Sequence, residues 1–186
     1  MTKMIKLKFY GLGGQGVVTA GKMFSEATSL FEDKYAITVP AYGHERRGAP
    51  VNTSIITDEK PVLINSFVYH PDIVVVMDHT VVEKGVNISE GIGENSILVL
   101  NTENEKVLDE FKKYNFKEIY YVDGSSIAYE HIGLNIPNGS MLGALAGTGV
   151  VKIESIEKAI ISSFGEKAGV KNAKAAREAY DRIKKV

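Results

Sequence analysis

The chain has 186 residues, 44% hydrophobic and 24% charged, with a formal net charge of -1. These are ordinary values for a globular protein large enough to bury a core without cross-links, and they exclude whole-molecule attraction to nucleic acid. It contains no cysteine, which excludes disulfides and thiolate-held iron–sulfur clusters. No tract approaches the roughly 18 apolar residues of a membrane span. Histidines 44, 70, 79 and 131 lack ligand spacing, so no metal-binding residue is assigned.

Strand and helix signals alternate along the chain, the α/β pattern. The opening residues alternate charge and hydrophobe and read as a strand approach, not a signal peptide. Ile5 to Tyr10 is the first strand, followed by the glycine-rich turn 11–16 and a helix to about Leu30. Val17, Ala20, Phe24, Ala27 and Phe31 give that helix one apolar face. Tyr35 to Val39 is a second strand, Pro40 to Pro50 a loop, and Val51 to Thr57 a third strand closed by a turn at 58–61. Val62 to Ile64 reads as a short returning strand, so the 51–64 region is expected to supply an antiparallel edge.

The continuous apolar runs Ile73 to Met77 and Ser96 to Leu100 read as strands covered on both faces, at the centre of a parallel sheet. Thr102 to Glu105 offers a capping box for a helix carrying Val107, Leu108 and Phe111. Ile119 to Val122 is the next strand. Helical segments then follow: one at Met141 to Ala146, one carrying Ile153, Ile156, Ile160 and Phe164, and one carrying Ala173, Ala176, Tyr180 and Ile183. The expected architecture is a single domain over 1–186, a three-layer α/β/α sandwich with a mostly parallel, Rossmann-like central sheet.

Gly11, Gly13 and Gly16 fit a Gly-x-Gly-x-x-Gly spacing between strand and helix. Three readings stand open. The glycines tighten the connection, or the turn holds a dinucleotide, or it holds another anion on the helix N-terminus. A dinucleotide calls for an acid at the end of the second strand, but Glu32 and Asp33 precede that strand and Val39-Pro40 ends it. There is no Gly-Lys-Ser/Thr sequence, so a P-loop is excluded.

The loop 40–50 gathers Tyr42, His44, Glu45, Arg46 and Arg47 between glycines and prolines. Placed at the same sheet edge as the glycine turn, the arginines would add to an anion site. Otherwise they are solvated or paired to Glu45 or a neighbouring subunit. His44 is an acid–base candidate without an orienting carboxylate. Asp78 and Asp123, at strand ends, are read as caps or loop anchors, with ligand contact as the second option.

Taken together, these segments resemble the γ family of 2-oxoacid:ferredoxin oxidoreductases. The resemblance is carried by residues 9–22 (Phe-Tyr-Gly-Leu-Gly-Gly-Gln-Gly-Val-Val-Thr-Ala-Gly-Lys), by 40–51 with Tyr-Gly-His-Glu-Arg-Arg-Gly, by the strand 71–78, and by 138–145. It implies a fold of the pyruvate-ferredoxin oxidoreductase domain III type. It also implies a cytoplasmic assembly of anaerobic metabolism with α, β and ferredoxin-like δ subunits, passing electrons to ferredoxin. In such an enzyme a 2-oxoacid and coenzyme A (CoA) yield acyl-CoA and CO2. Thiamine diphosphate and iron–sulfur clusters belong to the partner subunits, and the γ chain holds no cofactor of its own.

By that likeness Gly13, Gly14, Gln15, Gly16, Arg46 and Arg47 are carried toward the phosphates of CoA, a shared substrate, and no catalytic residue is assigned. The isolated chain is expected to be inactive, with self-dimerisation as one way to cover its partner surface. Pyruvate is the favoured substrate; 2-oxoglutarate and branched-chain 2-oxoacids are the alternatives. From other classes, a self-sufficient NAD- or FAD-dependent Rossmann oxidoreductase and a purely structural subunit remain open.

Overall fold

The computed structural model describes residues 4–41 and 46–186. Strand β1 (Ile5–Leu12) alternates so that Leu7 and Phe9 enter the core on one face of the sheet and Tyr10 on the other. It leads through the glycine turn into α1 (Val17–Phe31), which crosses to β2 (Tyr35–Pro40). β3 (Pro50–Asp58) then returns between β2 and β1, antiparallel to both.

On the other side of β1 the strands β4 (Ile73–Val76), β5 (Ile97–Asn101) and β6 (Glu118–Val122) add in parallel, and the two-residue β7 (Lys184–Lys185) closes that edge antiparallel. The order is β2-β3-β1-β4-β5-β6-β7. The centre is therefore parallel, as the unbroken apolar runs require, while both margins are antiparallel.

Two apolar layers cover the sheet. On one face α1 packs with α3 (Gly124–Ile132), α4 (Asn138–Ala146) and α5 (Ile153–Arg182) over Leu7, Phe9, Ile55, Val75 and Val99. Phe24 of α1 meets Phe9 edge to face, ring centroids 6.3 Å apart, both fully buried. On the other face α2 (Glu105–Lys112), with Leu108 and Phe111, joins Val81 and Ile88 over Val74, Val76, Leu98 and Leu100. Non-helical Gly165 divides α5 into the two helical runs that the apolar spacing anticipates. No described helix is long and apolar enough to cross a membrane.

Three expectations need correction. The 51–64 region does not form the edge: β3 is antiparallel but interior, and β2 is the edge strand. Residues 62–64 form no strand, and Leu63 is 90% exposed. With β1 and β2 on its two sides, β3 has no ladder left for a return strand, and Pro61 lacks the donor to begin one. The capping box at 102–105 does not form either. Asn104 caps α2 by accepting from Lys106 N–H at 3.0 Å, and Thr102 Oγ1 accepts from Asn104 N–H one step earlier.

Candidate anion-binding site

The β1–β3 ladder runs as far as Gly11 opposite Val51 and Leu12 opposite Pro50. That register delivers the segment before β3 to the same place as the turn after β1. Two backbone bonds then join them: Gly13 N–H donates to Ala49 O at 2.8 Å, and Gly48 N–H to Gly13 O at 3.1 Å. A Cβ on Gly13 would overlap the Arg46 carbonyl, so only glycine permits this approach. Gly14 passes beside the Arg47 stem, and Gly16, at φ 73° and ψ 32°, turns the chain into α1.

The start of α1 has neither a side-chain cap nor an acidic residue in its first turn. Its unpaired N–H groups and partial positive charge are therefore left for another anion. In front of it opens a cleft of about 490 Å³ whose lining includes Gly13, Gly14, Gly16, Val17, Val51, Lys22, Arg46 and Arg47. Among the described residues no carboxylate lines it.

Gln15 lies behind this cleft and not on its lining. Its Oε1 accepts from Leu12 N–H at 2.7 Å and its Nε2 donates to Asp78 Oδ2 at 2.8 Å. Asp78 in turn accepts from Thr80 N–H at 2.9 Å and Thr80 Oγ1 at 2.6 Å. Gln15 thus braces the turn against the end of β4. Asp123 caps α3, accepting from Ser126 N–H at 2.9 Å. Both aspartates act as caps, as the strand-end reading anticipates. Tyr42, Gly43, His44 and Glu45 lie outside the described residues, and the acid–base candidacy of His44 with them.

A second cleft, about 370 Å³, adjoins at the ends of β4, β5 and β6 and is lined by Asp78, His79, Glu103 and Asp123. The sheet edge is thus polarised, cationic before α1 and acidic beyond β4, which directs a polyanion to the glycine turn. A cleft of about 500 Å³ at the opposite edge is walled by Ile5, Ile73, Ile97 and Val150 with Asp58 and Asp72. Its character does not suit phosphate or carboxylate. Among the described residues no cluster of histidine and carboxylate is arranged to hold a metal.

The geometry also bears on a dinucleotide. In a dinucleotide fold the strand after α1 lies beside β1 and ends in the acid that holds the ribose. Here β3 separates β2 from β1, and β2 ends at Pro40. The arrangement can grip phosphate through backbone N–H groups and two guanidinium groups. Sequence reasoning placed the glycines and arginines here but missed Lys22, whose signal was only its place in the segment 9–22.

The family model described as pyruvate ferredoxin/flavodoxin oxidoreductase matches residues 6–182. A Pyrococcus abyssi protein named pyruvate/ketoisovalerate oxidoreductases common subunit gamma is 46% identical over 182 residues, spanning 96% of this chain and 97% of its own length. A Methanocaldococcus jannaschii protein named pyruvate synthase subunit PorC is 40% identical over 183 residues, 98% of each chain. Among solved structures, the pyruvate oxidoreductase subunit PORC from Thermotoga maritima is similar, with a TM-score of 0.83, 35% identity and 98% of each chain covered.

Proposed function

The chain belongs to the pyruvate ferredoxin/flavodoxin oxidoreductase family, and from that premise we propose that it is the γ subunit of a 2-oxoacid:ferredoxin oxidoreductase complex, where it binds the phosphates of CoA. The complex converts a 2-oxoacid and CoA to acyl-CoA and CO2 and passes two electrons to ferredoxin. The observation that carries the CoA reading is the cleft in which the glycine turn, the start of α1, Arg46 and Arg47 converge, with no carboxylate among its described lining residues.

In this scheme the chain's own residues position and do not react. The N–H groups at the start of α1 and the glycine turn cradle the diphosphate, Arg46 and Arg47 neutralise it, and Gln15 with Asp78 keeps the turn rigid. Electron transfer and decarboxylation belong to partner subunits. With no cysteine the chain offers no thiolate to a cluster, and thiamine diphosphate supplies the carbanion sink elsewhere in the complex. Pyruvate is the favoured substrate. The name of the Pyrococcus abyssi relative, a subunit common to pyruvate and ketoisovalerate enzymes, favours a branched-chain 2-oxoacid as the second reading.

The test is Arg47→Ala in the assembled complex. Losing a charge-assisted contact to phosphate should raise KM for CoA by about tenfold to a hundredfold. Saturation by the 2-oxoacid should stay as in the wild type. An assembled variant with wild-type CoA saturation would assign the arginines to subunit contact and leave the chain a purely structural role.

A further inference from the structure

We propose that Lys22 reads the 3′-phosphate of CoA and so sets the preference of the complex for CoA over dephospho-CoA. The inference rests on the CoA reading above and adds to it a residue and a specificity.

Lys22 lines the same cleft as Arg46 and Arg47, exposed on the second turn of α1. A helix lysine facing solvent ordinarily pairs with an acid four residues on, and Glu26 occupies that position. Glu26 is instead turned toward α5, where its Oε2 accepts from Ser163 Oγ at 3.3 Å. No acceptor for Lys22 is found among the described residues. With no carboxylate among the described residues of the cleft lining either, its charge is available to an incoming ligand.

The spacing decides which part of the ligand it meets. From Gly16 to Lys22 the helix axis rises about 9 Å. Gly16 at the helix start, Thr19 in the first turn and Lys22 in the second all line the cleft, so its cationic lining extends from the arginines beside the glycine turn to Lys22. A diphosphate alone is too short to span that length. CoA carries its diphosphate on the 5′ oxygen and a separate monophosphate on the 3′ oxygen of one ribose, so its two phosphate groups are spread across a sugar. An array of backbone N–H groups suits the bridging diphosphate, and a compact ammonium point charge suits a terminal phosphate dianion.

The experiment uses the assembled complex with Lys22→Met, Lys22→Arg and Arg47→Ala. It measures KM for CoA and the inhibition constant of dephospho-CoA competing against CoA, a quantity defined whether or not dephospho-CoA is turned over. Lys22→Met should raise KM for CoA by about tenfold, the worth of one charged contact open to solvent, and leave the dephospho-CoA constant in place. Lys22→Arg should restore most of the loss, and Arg47→Ala should weaken both ligands. Equal weakening of both ligands by Lys22→Met, or no effect on either while Arg47→Ala acts, overturns the role of Lys22 and leaves the CoA site standing. Wild-type constants in all three variants overturn the CoA site and the inference together.

Discussion

Replacing Gly13 with alanine tests how the two loops of the site are held together. The added methyl group would overlap the Arg46 carbonyl oxygen, a backbone atom that cannot rotate aside. Relief requires the 46–49 segment to withdraw, which strains the bond from Gly13 N–H to Ala49 O at 2.8 Å and that from Gly48 N–H to Gly13 O at 3.1 Å. At about 0.5–1.5 kcal/mol net each, their joint loss costs about 1–3 kcal/mol. For a chain of this length each kcal/mol lowers the melting temperature by roughly 2–4 °C. The sign is diagnostic, because Gly13 is not among the glycines of positive φ. An alanine that fitted there would stabilise by about 0.4–1 kcal/mol through the unfolded chain. Calorimetry of the isolated chain and CoA titration of the assembled complex should show a lower melting temperature and weaker CoA saturation. An unchanged or raised melting temperature with wild-type CoA saturation would refute the reasoning.

Asp78→Ala removes the acceptor of Gln15 Nε2, Thr80 N–H and Thr80 Oγ1, and should cost about 1–3 kcal/mol in denaturant unfolding. It should also raise KM for CoA by loosening the turn, and a variant as stable as the wild type would remove the bracing role. Tyr10 is 4% exposed, and burial, with Glu90 nearby, pushes its hydroxyl from 10.0 up to about 12. The neutral form is favoured in the fold, so this contribution is whole below pH 10 and is lost as pH rises through the folded value, a fall of about 2–3 kcal/mol. Tyr10→Phe should flatten unfolding free energy against pH over that window, and an unaltered slope would place the alkaline loss elsewhere.

Much of the architecture could be read from local pattern because its causes are local. The unbroken apolar run 73–77 reads as a doubly covered strand, and it lies at the parallel centre. The glycines after β1 mark a turn because the chain there adopts positive φ at Gly14 and Gly16. What escaped was set by distant partners. The runs 35–39 and 51–57 look alike in sequence, and only pairing shows that the second is interior and the first the edge. Either Thr102 or Asn104 has the oxygen to cap α2, and helix geometry selected Asn104.

Helix α3 begins at Gly124, a residue that reads as a breaker. It is tolerated there because a Cβ would press on Met141 and Ser140 of α4. Of the candidate residues, the glycines and arginines stood out by their own chemistry and line one cleft. Gln15 was read as facing a ligand because its partner Asp78 is distant in sequence. Lys22 looked like any lysine on the polar side of an amphipathic helix until the cleft lining placed it beside the arginines.

The most direct measurement of the central claim is reconstitution of the complex from its separate subunits with and without this chain, followed by ferredoxin reduction as a function of 2-oxoacid and CoA. The account predicts that the chain alone is inactive, that it co-elutes with the thiamine-diphosphate-binding subunits, and that CoA-dependent ferredoxin reduction appears only when it is added. Full activity with unchanged CoA saturation from the other subunits in its absence would contradict the account.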